Sequence, residues 1–345
     1  ERLTAITVPA GRIDMIDVLP AARRRVARRR IAVVAGSAAL TAVALIAVPA
    51  LLPDKKAATG LLPAEPTSCV RTELTAPAGV SEPIVRGVDP SGRYIIGTAT
   101  AGGLLRPVLW TDGTATVLPA MKEVVEATDV NQTGVVVGLV GGAEGGGTGA
   151  ARYENGRWTS LELPPGQWNV SPEPRINAGG DVIVDVEPSA GGPAVHLLWR
   201  AGTTAAERVT LPGGAAMRDI ADDGGIAGVI GDAAWVWDRT GKGTELEKSD
   251  GQAVTAYAIR GDWVAGGVSG DQTGAVWNRR TGRITRLNAE GPAAAVNSSG
   301  WAVTDNATLR DGAALDLGGG TAIGVSDTGL VVGHDADERN SMWRC

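Results

Sequence analysis

The 345-residue sequence contains no phenylalanine, and it has only two cysteines and two histidines. A zinc site made of several Cys and His ligands therefore cannot be built, and histidine acid–base chemistry has only His196 and His334 to draw on. Hydrophobic residues still make up 43% of the chain, which is enough to bury a sizeable core and excludes disorder by composition. Glycine is abundant, with 49 residues, and tryptophan supplies 10 of the 13 aromatic residues.

Basic residues are concentrated at the N-terminus. Residues 1–52 hold eight arginines and three acidic residues, a net charge of +5, so the overall charge of −6 leaves −11 for residues 53–345. A domain with that charge is not expected to bind nucleic acid, because the phosphate backbone attracts basic surfaces.

A cluster of six arginines at residues 23–30 is followed by 22 uncharged residues, 31–52. A helix of that length spans about 33 Å, enough to cross the roughly 30 Å hydrocarbon core of a membrane. The sequence therefore predicts one transmembrane helix at residues 31–52. A cleaved signal peptide is the alternative, since small residues near Ala47–Ala50 are compatible with a cleavage site.

The positive-inside rule predicts the orientation of this helix. It places residues 1–30, the Arg-rich segment, in the cytoplasm and the rest of the chain outside, so we expect a single-pass protein of the cell membrane. Residues 53–68 are rich in Pro, Ala and Lys, which is typical of a linker. Residues 69–345 then form the extracytoplasmic domain.

This domain is built from a unit repeated seven times. A first phrase consists of an aliphatic residue, a polar residue, two variable positions and a glycine, as in Val130-Asn131-Gln132-Thr133-Gly134. The unit recurs about every 40 residues. Its seven aliphatic positions are Val88, Val130, Ile176, Ile220, Ile259, Val296 and Val325.

A second phrase, Trp-x-x-Gly or a variant, follows each first one, as at Trp110 and Trp199, and the chain ends just after Trp343. Strand-forming runs such as Val135–Gly138 lie between the two phrases, so each unit reads as four short strands joined by tight turns. Such a unit cannot bury both faces alone and must stack on its copies, with the Trp as a wedge between neighbouring sheets. We predict an all-β, seven-bladed β-propeller of four-stranded blades, with an open solenoid as the structural alternative.

The two ends of the domain complement each other. The last unit stops at Cys345 before a fourth strand, and the segment that begins at Cys69 resembles that missing strand. We therefore expect the N-terminal strand to complete the last blade, which removes exposed sheet edges. Because Cys69 and Cys345 are the only cysteines and the expected compartment is oxidising, a disulfide between them is predicted.

The pattern of apolar-Asn-x-x-Gly, Val-Val-Gly, Trp-x-x-Gly and Leu, clearest at Val130–Gly138 and Val325–Gly333, resembles the HAF repeats of bacterial extracellular β-propellers. The resemblance covers residues 83–345 and implies a fold rather than an activity. The N-terminus, with its Ile-Asp stretch at residues 13–17, arginine block and single span, is similar to actinobacterial membrane proteins associated with extracytoplasmic-function sigma factors. That similarity implies a cytoplasmic regulator that contacts residues 1–30.

No catalytic constellation has adequate spacing. Serine nucleophile elbows are absent, and the acidic pair Asp222-Asp223 falls inside a turn phrase. The polar run His334–Glu338 departs from the EF-hand spacing. We therefore predict no catalytic residues, no metal site, no cofactor and no enzymatic activity.

Five residues are candidates for ligand binding. Four of them fall near the start of the predicted innermost strands, and Trp168 lies in a linker outside the repeat phase. The candidates are Arg86, Trp168, Arg175, Arg218 and Tyr257.

Two functions compete. The first is a membrane-anchored binding, sensing or interaction module for an extracytoplasmic protein, peptide or glycan, with loops on a rigid scaffold as the usual place of binding groups. The alternative is an extracytoplasmic propeller enzyme that acts on glycans, a hydrolase or lyase. A sialidase-like enzyme would need a tyrosine nucleophile next to an acid and several arginines, and only Tyr94, Tyr153 and Tyr257 are available.

Overall fold

The computed structural model describes residues 69–345, apart from residues 122–124, 142–147, 172, 271, 305–306, 311–312 and 316. Every regular element in these residues is a β-strand. Within this part of the chain, no helix is long and apolar enough to cross a membrane. The predicted cytoplasmic segment 1–30, transmembrane helix 31–52 and linker 53–68 all lie outside the described residues.

The described strands pair into seven antiparallel sheets, of which six have four strands and one has five. The first three sheets in chain order contain β2 (Ser81–Val88), β3 (Tyr94–Ala101), β4 (Leu104–Thr111) and β5 (Thr114–Val117); β6 (Val125–Val130), β7 (Val136–Val140), β8 (Gly149–Glu154) and β9 (Arg157–Ser160); and β10 (Trp168–Val170), β11 (Arg175–Ile176), β12 (Val182–Pro188), β13 (Val195–Trp199) and β14 (Glu207–Val209).

The other four sheets follow the same order of strands. They contain β15 (Ala215–Ile220), β16 (Ile226–Ile230), β17 (Ala233–Trp237) and β18 (Gly243–Glu245); β19 (Val254–Arg260), β20 (Trp263–Val268), β21 (Thr273–Asn278) and β22 (Ile284–Glu290); β23 (Ala295–Val296), β24 (Ala302–Thr304), β25 (Ala307–Arg310) and β26 (Ala313–Leu315); and β27 (Thr321–Val325), β28 (Leu330–His334) and β29 (Asn340–Arg344) with β1 (Val70–Glu73).

The sheets form a closed ring. The innermost strand of each sheet contacts that of the next, with β11 in this place in the third sheet, and β27 of the last sheet contacts β2 of the first. The side-chain amide of Asn340 strengthens this closure, because it donates to the carbonyl of Pro83 over 2.7 Å and accepts the N–H of Val85. The prediction of a β-propeller is confirmed, and the open solenoid is excluded because the array meets its own beginning.

The third sheet departs from the predicted four strands. Its inner edge is divided into β10 and β11, and both pair with β12. Pro174 lies between the two segments, and a proline has no N–H to donate to a ladder, which weakens strand pairing at this point.

The last sheet is completed by the N-terminal strand. β1 pairs with β29 in the register Val70↔Arg344 to Glu73↔Ser341. Just before this pairing, Cys69 and Cys345 form a disulfide with their Cα atoms 4.1 Å apart. The predicted closure and the predicted disulfide are both confirmed.

The tryptophans of the second phrase fill the spaces between sheets. Trp199 belongs to one buried cluster with Val135 and Val137 of the preceding unit, and Trp237 belongs to another with Ile183 and Leu198 of the unit before it. Burial of such large rings stabilises the stack of sheets and explains their once-per-unit recurrence. The fully buried members of this set are Trp110, Trp199, Trp237, Trp277 and Trp343.

The asparagine of the first phrase joins neighbouring sheets. The side-chain oxygen of Asn177 accepts the N–H of Asp181, which closes the turn, and its amide donates to the carbonyl of Ala221 in the next sheet over 3.2 Å. Asn297 repeats this arrangement with Trp301 and Ser326. A buried amide that is satisfied on both sides holds turn and neighbour together.

Two faces of the ring can be distinguished. The turn face carries the Asn-x-x-Gly and Trp-x-x-Gly turns, and its first-phrase glycines have positive φ, for example 89° at Gly180. The opposite face, here the loop face, carries the hairpins between second and third strands and the linkers between sheets. On this face residues 189–194 form a longer loop, whereas only residues 231–232 connect β16 to β17.

Candidate functional site

The first strands of the sheets meet at the centre of the ring and form a surface that we call the inner wall. On the inner wall, five of the strands carry a β-bulge at the same position of the repeat, two residues before its aliphatic position. A bulge leaves one residue without a paired partner and redirects its side chain. The bulged residues are Arg86, Thr128, Arg218, Tyr257 and Ile323.

The structure places four of the five sequence candidates on the inner wall. Arg86, Arg218 and Tyr257 occupy the bulge of β2, β15 and β19, respectively. Arg175 is the first residue of β11. The repeat pattern had indicated these strands but not the shared bulge, because a register shift has no signature in the residue types.

Trp168 is the exception among the candidates. It lies in β10 rather than in an irregular linker, with Pro188 as its pairing partner. Its indole N–H donates to the carbonyl of Pro164 over 2.7 Å, and its ring packs against the core of the third sheet. These contacts give Trp168 a packing role that the repeat pattern did not assign.

Two aspartates on the inner wall bridge neighbouring sheets. The carboxylate of Asp219 accepts the N–H of Ile220 in its own strand and that of Ile259 in the next sheet, both over 2.8 Å. Asp129 makes the equivalent bonds to Val130 and Ile176, over 2.8 and 3.0 Å. Each carboxylate is therefore held in one orientation by two backbone donors.

The pKa values of both aspartates are raised. Burial of the Asp219 carboxylate is the largest cause and raises its pKa. The positive charge of Arg175 lowers this pKa and the negative charge of Asp129 raises it, and the resulting pKa of Asp219 is about 6. Desolvation also raises the pKa of Asp129, against the opposing charges of Arg175 and Arg260. These charge interactions connect one residue from each of the second, third, fourth and fifth sheets, so the four side chains share one electrostatic environment. They are Asp129, Arg175, Asp219 and Arg260.

Most arginines near this cluster already have acidic partners. Arg86 pairs with Glu126 of the second sheet. Arg260 pairs with Asp222 over 3.0 Å, and Arg279 pairs with Asp223 over 2.5 Å. The two acidic residues of that turn phrase therefore hold ion pairs on the turn face, as structural rather than catalytic groups.

Arg218 differs from these arginines. Its Nε is buried and has no hydrogen-bond partner in the described part of the chain. A buried donor without a partner costs free energy comparable to a lost hydrogen bond, which is about 1–3 kcal/mol. Arg218 therefore stands on the inner wall as a cation whose Nε donor the described residues do not use.

Tyr257 occupies the equivalent bulge of the neighbouring sheet. Its side chain is 39% exposed, and no carboxylate of the described residues hydrogen-bonds to its hydroxyl. The arrangement of a tyrosine nucleophile activated by an acid is therefore not present at Tyr257. Tyr94 and Tyr153 lie in the packed cluster between the first and second sheets instead.

Sequence reasoning missed Asp129, Asp219 and Arg260. A weak signal was available for the two aspartates, because each directly precedes the aliphatic residue of the first phrase in its unit. Arg260 follows the aliphatic residue of a degraded copy of the phrase. Only the ring, which brings four units to one centre, shows that these residues belong together.

The acidic side chains that follow His334 form ion pairs within the structure. Among the described residues no group of three or more His, Cys, Asp or Glu side chains is arranged to hold a metal ion. In the run His334–Glu338, Asp335 is paired with Arg71 and Arg339. Desolvation opposes ionisation of Asp335, yet hydrogen bonds from the backbone and side chain of Arg339 hold its pKa below its usual range. This carboxylate is thus engaged in structure.

Comparison with known proteins supports the fold. No protein-family model and no curated protein matches this chain. Among solved structures it is similar to oligogalacturonate lyase from Vibrio parahaemolyticus, with a TM-score of 0.55 and 12% identity over 79% of this chain and 93% of that one. It is also similar to an oligogalacturonate lyase in complex with manganese, with a TM-score of 0.56 and 10% identity over 79% and 92% of the two chains. At these identities the likeness concerns the fold alone.

Proposed function

We propose that this protein is a membrane-anchored, extracytoplasmic binding or sensing module whose inner wall holds its ligand. In this proposal residues 31–52 cross the membrane and residues 1–30 contact a cytoplasmic regulator, for example a sigma factor of the extracytoplasmic-function type. The ligand is an extracytoplasmic protein, peptide or glycan. All seven sheets count as blades, including the one with the divided inner edge.

One observation carries the proposal. The bulged position repeats around the inner wall, but its occupants range from arginine and tyrosine to threonine and isoleucine. This position is released from strand pairing, because the register shifts there. A rigid scaffold that presents different side chains at one level is suited to recognition.

Binding is tested with the full-length chain in mild detergent against panels of immobilised peptides and glycans. We expect a ligand whose retention falls when Arg86, Arg218 and Tyr257 are together replaced by alanine. The control is Arg208→Ala, which changes an exposed arginine on the outermost strand β14. Retention that is equal in all three proteins would refute an inner-wall site.

The anchor and its partner need separate experiments. A phosphatase domain that is active only outside the cytoplasm, fused after residue 60, should be active if residues 31–52 span the membrane as proposed. Residues 1–30 used as bait should recover a transcription regulator. An inactive fusion would contradict the orientation, and recovery of no regulator would remove the signalling part of the proposal.

The second candidate is a propeller enzyme that acts on glycans. In its favour, the pKa of Asp219 is raised by burial to about 6, which suits proton transfer near neutral pH, and the fold is similar to that of oligogalacturonate lyases. Against it, both oxygens of this carboxylate already accept backbone N–H groups. Incubation with polygalacturonate distinguishes the enzyme from the binding module. Release of new sugar ends by the native chain but not by Asp219→Asn would establish the enzyme.

A further inference from the structure

We propose that the inner wall binds the carboxylate of a uronic acid oligosaccharide through Arg218, with Tyr257 against the face of the sugar. This inference rests on the proposed binding function and adds the chemical class of the ligand. Three properties of the wall lead to it: an arginine whose Nε has no hydrogen-bond partner among the described residues, an exposed aromatic ring at the equivalent bulge of the adjacent sheet, and aspartates held by backbone donors.

Arg218 supplies the recognition of charge. The described residues offer no acceptor to its Nε, whereas Arg86, Arg260 and Arg279 have acidic partners. A guanidinium group presents parallel N–H donors that match the two oxygens of a carboxylate. A carboxylate placed against the guanidinium group would neutralise its charge.

Tyr257 supplies an aromatic surface at the same level of the wall. Arg218 and Tyr257 occupy equivalent bulges of adjacent sheets. The bond from Ile259 N–H to the Asp219 carboxylate over 2.8 Å ties the two strands together at this level. A ring that is 39% exposed and whose hydroxyl makes no hydrogen bond within the described residues has a face available for an apolar sugar surface.

The aspartates favour a sugar over a peptide. Asp129 and Asp219 are oriented by backbone donors, so each carboxylate keeps lone pairs in fixed directions. Sugar hydroxyls can donate to such acceptors, and a site arranged in advance loses less entropy when it binds. A uronic acid residue combines a carboxylate, several hydroxyls and an apolar face, whereas a peptide C-terminus supplies the carboxylate without the hydroxyls.

The test is calorimetric titration of the full-length chain with a galacturonic acid trisaccharide. We expect saturable binding that weakens at least tenfold in Arg218→Ala and in Tyr257→Ala. Arg218→Lys should fall between native and Arg218→Ala, because lysine keeps the charge but not the paired donors. Arg208→Ala, an exposed arginine on β14, is the matched control and should bind as the native chain does. Equal thermal unfolding midpoints would show that the variants are folded.

Two further probes separate the sources of recognition. The methyl ester of the trisaccharide should lose binding, because it lacks the negative charge, and a tripeptide with a free C-terminus should bind at least tenfold more weakly than the acid. Absence of uronate binding, or binding that Arg218→Ala leaves unchanged, would overturn the inference. If a neutral or peptide ligand binds at the inner wall instead, the sugar assignment fails while the binding function stands. If no panel ligand depends on the wall, both fail.

Discussion

Removal of the Cys69–Cys345 disulfide should destabilise the propeller by several kcal/mol. The two cysteines are separated by 276 residues, so the bond restricts nearly the whole unfolded domain. The chain-entropy relation for a loop of that size gives about 5.6 kcal/mol at 25 °C. Strand β1 remains able to pair with β29 without the bond, and Leu74 just after it is 4% exposed. We therefore expect a loss of about 3–5 kcal/mol in the Cys69→Ala/Cys345→Ala variant, below that upper figure.

Denaturant unfolding of the full-length chain, followed by tryptophan fluorescence, measures this loss. All ten tryptophans lie between residues 110 and 343, so the signal reports on the propeller. The native chain under reducing conditions should unfold together with the double variant, which controls for the substitutions themselves. Free energies of unfolding that agree within about 0.5 kcal/mol, or two titratable thiols in the denatured unreduced chain, would refute the reasoning.

Three further predictions concern packing and charge. Trp237→Ala should lower the free energy of unfolding by about 3–5 kcal/mol, because its ring is fully buried between sheets. The half-buried neighbour Trp235 is the control. An equal loss in Trp235→Ala would contradict the role of Trp237 as a wedge between sheets. Asn177→Ala should cost about 1–3 kcal/mol in the same assay, since it leaves buried partners in two sheets unsatisfied; an unchanged free energy of unfolding would contradict the role of Asn177 in joining the sheets. The pKa of Asp219 is raised in the folded state to about 6 from 3.8, so the folded chain binds more protons than the unfolded chain between these pH values. The free energy of unfolding of the native chain, relative to that of Asp219→Asn, should therefore fall as the pH rises from about 4 to about 6. A difference between the two proteins that does not change with pH would refute this prediction.

The repeat unit could be predicted from the sequence because its cause is local. Tight turns need glycine where φ is positive, as at Gly134 and Gly180, and a wedge between sheets needs a large apolar ring such as Trp199. The division of the inner strand in the third sheet was missed, although Pro174, which weakens strand pairing, was visible in the sequence. The number of strand-forming runs in a repeat unit does not by itself show where an inner strand is interrupted.

The candidate site was only half predictable. Arg86, Arg175, Arg218 and Tyr257 could be placed on inner strands from their phase in the repeat. Asp129 and Asp219 could not be recognised as partners, since 90 residues separate them in the sequence and their coupling exists only across the ring. Arg86 has an acidic partner and Arg218 has none among the residues that the structure describes. This difference likewise depends on which side chains face each other across two sheets.

The sequence by itself determined the kind of fold and the pairing of the two cysteines, because the first follows from short-range geometry repeated along the chain and the second from elimination. The tertiary structure alone decided which side chains share the centre of the ring, how the bulges present them and which charges remain without a partner. The physical reason is distance: hydrogen bonds and electrostatic coupling act over a few ångströms in space, and closure of the ring brings to that range residues that the chain keeps far apart.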